Sequence, residues 1–260
     1  MEKSGAGSIP LNLYIGTPCY GGQVTTEYFN SLLGLQDACA NAGVNLNVLA
    51  LWGEALITRA RQNIVACFLE DPSATHLLFI DADIGFEPAQ VFRLLAVNQD
   101  VTAALYPAKT IDWEKVKSGA ARGEANLESA GLSYVTEWKP QYETINGFAK
   151  VAQAGTGFLL VKRGVFLAMM ERYPQLRYSG GGPDDPLRNS RFRYAFFNCL
   201  LEGNGGKYLP EDYSFCKLWT DMGGEIWADF QSRLNHVGTM VYRGNGPMTF
   251  KPQSSEGGKA

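Results

Sequence analysis

Two aspartates separated by one alanine, Asp81 and Asp83, end a short apolar run. A run of four or five apolar residues with a charged stop is typical of a strand buried on both faces of a mostly parallel sheet. Ligands bind at the carboxyl ends of such strands, and carboxylate oxygens suit hard divalent cations. The spacing therefore predicts a metal that holds a phosphorylated ligand. The alternative is that the aspartates only cap a helix beginning near Pro88 or face solvent.

A second acidic pair, Glu211 and Asp212, follows Pro210 at the predicted start of a helix. The positive end of the helix dipole favours carboxylates there, so the pair either caps the helix or serves in acid-base chemistry. His236 comes later in the chain, and an imidazole with two aspartates is a sensible ligand set for Mn²⁺. His76 precedes the apolar strand and is predicted to be structural.

Two weaker signals concern an anionic ligand. The turn TPCYGG, residues 17–22, could hold a nucleotide base or a phosphate through its backbone N–H groups and the Thr17 hydroxyl. Arg59 and Arg61 lie on a predicted helix before the aspartate pair. A planar guanidinium can donate two hydrogen bonds to a diphosphate, but two arginines on a helix can equally form a solvated face.

The elements that must position these residues alternate between strand and helix over the first hundred residues. This alternation predicts a Rossmann-like α/β arrangement. The predicted strands are 9–16, 44–51, 77–80 and 101–105, and the helices between them are 28–43, 55–70 and 88–98.

The second half of the sequence is less regular. One strand is predicted over 149–162, then a helix over 164–173, and after residue 208 a turn, a helix and a strand. The segment 107–150 has a small, polar middle and is predicted to contain a mobile loop or lid. The segment 174–206 is a candidate flap on the acceptor side.

Composition limits the classes of function. With 23 basic and 26 acidic residues the net charge is -3, so no basic field is present to bind duplex nucleic acid in bulk. Five widely spaced cysteines without a CxxC pair predict reduced thiols in a cytosolic protein. Neither a signal peptide nor a transmembrane segment is evident, which favours a cytoplasmic location. We expect one domain over residues 1–250 and a disordered tail over 251–260.

Several segments, taken in order, resemble the nucleotide-sugar-dependent glycosyltransferases of the GT-A fold. They are THLLFIDADIGF, AGTGFLLVKR, YLPEDYSFC, GGEIWAD and LNHVG, and the likeness spans most of residues 9–245. The resemblance implies a single Rossmann-like α/β domain with a central mixed, mostly parallel sheet flanked by helices. It also implies that Asp81 and Asp83 form the DxD pair, which holds Mn²⁺ or Mg²⁺ against the donor diphosphate, and that His236 completes the metal shell.

The same resemblance implies roles for the remaining candidates. Glu211 and Asp212 match the xED motif, whose second carboxylate takes the proton from the acceptor hydroxyl in inverting members. Gly155–Phe158 resembles the strand that lines the acceptor side. The residues implied to bind the donor are Thr17, Pro18, Tyr20, Arg61 and Asp81.

The expected reaction is sugar transfer from a nucleotide diphosphate donor, with UDP-sugars favoured, to an acceptor hydroxyl with inversion. The acceptor is a glycan, lipid, protein or modified nucleic-acid base. The segment ITRARQN also resembles a retaining class of mannosyltransferases, in which the leaving phosphate accepts the proton and Asp212 stabilises the positive sugar.

Two further alternatives remain open. A sugar nucleotidyltransferase would share the α/β core and the metal, but it usually has a basic phosphate loop, and TPCYGG contains no Lys or Arg. A non-catalytic carbohydrate-binding protein is disfavoured by the joint presence of Asp81, Asp83, Asp212 and His236.

Overall fold

The computed structural model describes residues 10–134, 136, 144–180, 185–203 and 205–240. Within these ranges strands and helices alternate through the first hundred residues, as the sequence predicted. In chain order the elements are β1 (Asn12–Pro18), α1 (Thr26–Ala42), β2 (Asn45–Leu51), α2 (Ile57–Glu70), β3 (His76–Ile80), β4 (Ile84–Gly85), α3 (Pro88–Val97), β5 (Val101–Ala104), α4 (Trp113–Ala121), α5 (Leu127–Ala130), β6 (Phe148–Val151), β7 (Phe158–Lys162), α6 (Arg163–Arg172), a 3-10 turn (Pro174–Leu176), β8 (Leu200–Leu201), β9 (Tyr208–Leu209), α7 (Glu211–Asp221), β10 (Ile226–Asp229) and β11 (Asn235–His236).

The central sheet has seven strands in the order β2-β1-β3-β7-β5-β10-β6. The strands β1, β2, β3, β5 and β10 run in one direction, and β7 and β6 run in the other. Core residues from α2, α6 and α7 cover one face of the sheet, and those from α1 and α3 cover the other. The predicted α/β fold with a mixed, mostly parallel sheet flanked by helices is confirmed. The five co-directional strands end together, and we call this side the carboxyl edge.

The strand that precedes the aspartate pair is buried on both faces, as predicted. Leu77 and Phe79 belong to the core on the α2 side, whereas Leu78 and Ile80 belong to the core on the α1 side. All four side chains have no solvent exposure. Because both faces of β3 are covered, an apolar residue is required at every position, which explains the continuous apolar run.

The segment 107–150 is more regular than predicted. It forms the helices α4 and α5 instead of a continuous loop, while residues 135 and 137–143 lie outside the described part of the chain. Asp112 caps α4 by accepting hydrogen bonds from the backbone N–H groups of Glu114 and Lys115, and Asn126 caps α5 by accepting one from Ser129. These caps stabilise short helices whose small, polar residues suggested a loop.

The single strand predicted over 149–162 is wrong. The chain bends at Ala152 and turns at Thr156 and Gly157, which separates β6 from β7. β6 pairs with β10 at one margin of the sheet, whereas β7 lies in its centre between β3 and β5. Apolar periodicity reports burial and does not identify neighbouring strands, so this division was not visible in the sequence.

Part of the predicted acceptor-side flap belongs to the core. Phe196 and Phe197 are fully buried with the residues of α2, α6 and α7. Phe197 stacks on Phe215 of α7 with ring centroids 4.9 Å apart. The flap prediction is therefore wrong for this part of segment 174–206, because apolar burial fixes it against the helices.

Two composition-based predictions can be compared with the structure. All five cysteines lie in the described ranges and are free, as predicted. No helix in those ranges combines the length and the apolar character needed to cross a bilayer. The proposed disordered tail, 251–260, lies outside the described residues.

An ion pair fixes the end of β10 to α3 and gives a stability prediction. Arg93 donates two hydrogen bonds of 2.8 Å to Asp229, whose side chain is fully buried. Arg93→Met should lower the free energy of unfolding by about 2 to 3 kcal/mol, because it leaves a buried carboxylate without its cation. Chemical denaturation measures this loss.

The exposed ion pair between Arg122 and Glu124 provides the matched control for that experiment. Arg122→Met should change the free energy of unfolding by less than about 0.5 kcal/mol. Equal losses of unfolding free energy in the two variants would show that the ion pair with buried Asp229 stabilises the fold no more than an exposed ion pair does.

Candidate active site at the carboxyl edge

The loop that carries the two aspartates is held by backbone hydrogen bonds on both sides. The N–H of Asp81 donates to the carbonyl oxygen of Gly157 over 3.0 Å. The carbonyl oxygen of Asp83 accepts from the N–H of Val237 over 2.8 Å. The two carboxylates therefore leave a backbone that is anchored to the residue before β7 on one side and to the residue after β11 on the other.

The short ladder between β4 and β11 brings His236 to Asp83. His236 pairs with Ile84 in an antiparallel register, one residue beyond Asp83. The Nδ1 atom of His236 lies 2.7 Å from the carbonyl oxygen of Pro107, which can only accept, so Nδ1 carries a hydrogen and donates it. The other ring nitrogen, Nε2, lies 3.3 Å from Oδ1 of Asp83.

The pair formed by Asp83 and His236 fits a divalent cation. A proton on Nε2 or a cation bound to both atoms would satisfy this contact, because without either one Nε2 turns a lone pair toward a carboxylate oxygen. Two ligands of one octahedral ion, each about 2.1 Å from it and at right angles, lie about 3.0 Å apart. The observed 3.3 Å is close to that separation. A histidine whose second nitrogen donates to a backbone carbonyl is also typical of metal ligands.

The third predicted ligand, Asp81, does not join this pair in the structure. Among the described residues, no group of three or more His, Cys, Asp or Glu side chains is arranged to hold a metal ion. The carboxylate of Asp81 instead accepts a hydrogen bond from Arg61. The structure thus brings Asp83 and His236 together, and the complete set of Asp81, Asp83 and His236 stays a prediction.

Lys109 already supplies one positive charge to the pair. Its ammonium donates to Oδ2 of Asp83, the oxygen that is not beside His236. Partial burial by itself raises the pKa of Asp83, but the contacts with His236 and Lys109 lower it to about 2. Asp83 is therefore ionised throughout the neutral range, as a metal ligand must be.

Arg61 connects the two acidic pairs from within the protein. Its side chain is almost fully buried; Nη2 donates to Oδ1 of Asp81 over 3.1 Å, and Nε lies 3.5 Å from Oε1 of Glu211. The guanidinium also lies over the Phe79 ring, 5.6 Å from its centroid. Within the described residues, Nε and Nη1 make no hydrogen bond. Arg61 thus joins the end of β3 to the start of α7, and its contact with a diphosphate stays a prediction.

Asp212 has the properties of a proton acceptor. Burial raises its pKa and the negative charge of Glu211 raises it further, to about 6. The N–H of Tyr213, which donates to Oδ1 over 2.8 Å, and the charge of Arg61 act in the opposite direction without cancelling this shift. A carboxylate with a pKa close to neutral suits general-base chemistry, and raised values of this kind are frequent at active sites.

Tyr106 contacts His236 and lies within electrostatic reach of Asp81 and Asp212. Its ring meets the imidazole of His236 edge to face, with centroids 5.3 Å apart, and its hydroxyl oxygen accepts the N–H of Gly157 over 3.1 Å. Burial raises its pKa, and the charge of Asp81 raises it further. The hydroxyl is therefore neutral beside the carboxylates.

Tyr106 and Lys109 were not identified from the sequence. Both follow β5, which ends at the same edge as β3. A signal was present, because strands that run in parallel deliver the residues after them to one edge of the sheet. The segment YPAK after the fourth predicted strand could therefore have been included in the candidate site.

The predicted donor-binding turn is only partly exposed. Thr17 and Pro18 are the last residues of β1, and the buried Thr17 hydroxyl lies 2.6 Å from that of Tyr28. Tyr20 lies beyond the strand and is 69% exposed, and its carbonyl oxygen accepts from the N–H of Gly53 over 3.1 Å. Trp52, which precedes Gly53, is 77% exposed. The roles of Thr17, Pro18 and Tyr20 in binding a donor stay predictions.

A cavity of about 1570 Å³ opens next to the Asp83 and His236 pair. His236 and Lys109 line it on the side of the pair, and Trp113 and Tyr134 contribute aromatic surface on the other. Its volume exceeds the usual range for small-molecule sites. A ligand of nucleotide size therefore has room to reach the pair.

Gly157 belongs to the predicted acceptor-side segment Gly155–Phe158, and its backbone packs closely against Tyr106 and Asp81. A Cβ there would lie 2.7 Å from Cζ of Tyr106 and 2.9 Å from Oδ2 of Asp81. Gly157→Ala should therefore lower the free energy of unfolding by about 1 to 3 kcal/mol, because the ring and the carboxylate must move. Chemical denaturation measures the loss.

Gly164 on α6 serves as the matched control, because a Cβ there would have no atom within 4 Å. Gly164→Ala should leave stability unchanged or raise it by up to about 1 kcal/mol, since alanine favours a helix. If the two variants unfolded alike, the close packing around Gly157 would not matter.

The fold and the site together define an α/β protein with acidic and basic side chains gathered at the carboxyl edge. No family model and no curated protein matches the chain. Among solved structures, A197 from STIV aligns with 90% of this chain and 98% of its own at 16% identity and a TM-score of 0.43. A glycosyltransferase involved in the glycosylation of the major capsid of PBCV-1 aligns over 72% of each chain at 12% identity and a TM-score of 0.32. Both scores are below 0.5, so we infer function from the site alone.

Proposed function

We propose that the protein is a metal-dependent glycosyltransferase of the GT-A type. It moves a sugar from a nucleotide diphosphate donor, with UDP-sugars favoured, to an acceptor hydroxyl with inversion. One observation carries this proposal: a pair that fits a cation, Asp83 and His236, and a carboxylate that fits a base, Asp212, are tied to one edge of the sheet. Arg61 links Asp81 to Glu211, the neighbour of Asp212 in sequence, and Tyr106 contacts His236 and Gly157.

The residues at the end of β3 would hold the donor. Asp83 and His236, with Asp81, would bind Mn²⁺ or Mg²⁺, which when bound neutralises a diphosphate leaving group. Pro107 keeps the imidazole in the tautomer that leaves Nε2 free to bind. Arg61 fixes the Asp81 carboxylate from inside the protein, so its orientation is set before a ligand arrives.

The residues at the start of α7 would activate the acceptor. Asp212 takes the proton of the acceptor hydroxyl as that oxygen attacks the anomeric carbon. Its raised pKa makes it a stronger base than an exposed aspartate while leaving it mostly ionised at pH 7. Glu211 contributes the negative charge that raises this pKa, and Arg61 holds Glu211 in place through their 3.5 Å contact.

The test is donor hydrolysis with a panel of nucleotide sugars and Mn²⁺. We expect slow release of UDP or GDP that EDTA abolishes and that added Mn²⁺ restores. Hydrolysis that is indifferent to EDTA, or none with any donor, would contradict the proposal. Release of pyrophosphate from a nucleoside triphosphate and a sugar phosphate would instead identify a nucleotidyltransferase, and binding without turnover a carbohydrate-binding protein.

Anomeric analysis of the transferred sugar by NMR distinguishes the two stereochemical courses. We expect inversion, because Asp212 has a pKa suited to a base. Retention would assign proton removal to the leaving phosphate and leave Asp212 to stabilise the positive sugar.

A further inference from the structure

The contact between Lys109 and Asp83 has no part in the function proposed so far. The ammonium of Lys109 occupies one oxygen of a carboxylate whose other oxygen faces His236. A lysine in this position supplies positive charge where the proposed function requires a divalent cation.

The position of Lys109 is built into the fold. A Cβ at Gly238 would lie 2.8 Å from Cδ and 3.2 Å from Cγ of Lys109, so the absence of a side chain there makes room for the aliphatic stem. Gly238 comes two residues after His236, on the segment that carries the imidazole. The same stretch of chain thus places both partners of Asp83.

Lys109 also faces the open cavity. Its side chain is 39% exposed and lines the cavity beside His236. An ammonium that leaves Asp83 would therefore remain next to any anion bound there. Lysine is a compact point charge on a flexible stem, which suits it to move between a carboxylate and a phosphate.

We propose that Lys109 is an internal counter-ion that competes with the divalent cation for Asp83. When the cation binds, the ammonium is displaced into the cavity and binds the phosphates of the nucleotide. This inference rests on the proposed function and adds an order to it: cation binding releases the lysine that then helps to hold the donor.

Metal binding in the absence of nucleotide tests the competition directly. The chain of 260 residues is titrated with Mn²⁺, and free Mn²⁺ is followed by electron paramagnetic resonance. We expect Lys109→Met to bind Mn²⁺ about tenfold more tightly than the unaltered protein, because a nearby positive charge no longer opposes the ion. Equal or weaker binding, or no Mn²⁺ binding by either protein, overturns the proposal.

Lys115 provides a matched control on the neighbouring helix α4. Its ammonium contacts Ser133 and Asp112 and not Asp83, among the described residues. Lys115→Met should leave Mn²⁺ affinity within about twofold of the unaltered protein. If Lys115→Met tightened binding as much as Lys109→Met, the effect would be one of general charge, and the competition would be rejected.

Gly238→Ala keeps the proposal testable if Lys109→Met fails to fold. Its methyl group displaces only the flexible stem of Lys109, and we expect Mn²⁺ to bind several-fold more tightly. An unchanged Mn²⁺ affinity in this variant counts against the proposal.

UDP binding tests whether the displaced Lys109 ammonium binds the phosphates of the nucleotide. With Mn²⁺ at saturation, we expect Lys109→Met to bind UDP about tenfold more weakly, because the displaced ammonium no longer meets the phosphates. Unchanged UDP affinity overturns the phosphate role. The two proposals fail in different ways. If the unaltered protein hydrolyses no donor, the proposed transferase function is rejected. If it hydrolyses donor but Lys109→Met has unchanged Mn²⁺ affinity, only the role of Lys109 is rejected.

Discussion

Asp83→Asn is expected to lower kcat/KM for Mn²⁺-dependent donor hydrolysis by about 10³-fold, equivalent to about 4 kcal/mol of transition-state stabilisation. The amide keeps the shape of the side chain but removes the charge that a cation requires. It also leaves Nε2 of His236 and the ammonium of Lys109 without an anionic partner. Rates of nucleotide release at saturating Mn²⁺ measure the effect.

Asp37 is the control for the loss of one carboxylate. It is exposed on α1, away from the carboxyl edge, and Asp37→Asn should leave the rate within about twofold of the unaltered protein. Turnover by Asp83→Asn at the rate of this control would remove Asp83 from the metal site.

Asp212→Asn is expected to slow transfer to the acceptor by about 10² to 10⁴-fold, the usual contribution of a positioned base. Affinity for the nucleotide should change by less than about threefold, because the side chain is assigned to the acceptor and not to the donor. The comparison requires transfer rates and nucleotide affinity from the same preparation. The control is Asp221→Asn, at the exposed end of the same helix, which should leave the transfer rate and the nucleotide affinity nearly unchanged. Full transfer activity in Asp212→Asn would exclude Asp212 as the base.

The pH dependence of transfer tests the same assignment. Asp212 accepts a proton only when it is ionised, and its pKa is raised from the ordinary value to about 6. The protonated form therefore accumulates below about pH 6, and kcat should fall about tenfold for each further pH unit. Asp83 stays ionised over this range, since its pKa is about 2, so it does not contribute to the fall. A rate that stays constant down to pH 4 would contradict the role of Asp212.

The sequence predicts the first half of the fold well because each element there has a strong local signal. The apolar run Leu77–Ile80 is continuous since both faces of β3 are covered. The second half is harder, because its strands are short and their neighbours come from distant parts of the chain. The division of 149–162 between the margin and the centre of the sheet follows from pairing with β10, β3 and β5. Periodicity does not encode that pairing.

Charge and position coincide in sequence at Asp83, His236 and Asp212; the structure brings Asp83 and His236 together, and the roles of all three stay predictions. Sequence reasoning did not find the neighbours whose contribution depends on packing. Gly157 was placed in the right segment, but its closeness to Tyr106 and Asp81 is a property of three chain regions that meet. The position of Lys109 likewise depends on Gly238, which lies just after β11 and leaves room for the lysine stem.

Burial changed the interpretation of one further residue. Arg61 was predicted to meet a diphosphate, and its type and position supported that. In the structure it lies inside the protein between Asp81 and Glu211. A helical sequence shows which residues share a face, but it does not show how deeply a long side chain is buried.

The most direct test of the central claim is an anomalous scattering map at the manganese edge from crystals grown with Mn²⁺ and UDP. We expect one peak about 2.2 Å from both Oδ1 of Asp83 and Nε2 of His236, with the phosphates of UDP on the same ion. Bound UDP without an ion at this pair, or with the ion held by other residues, would contradict the account.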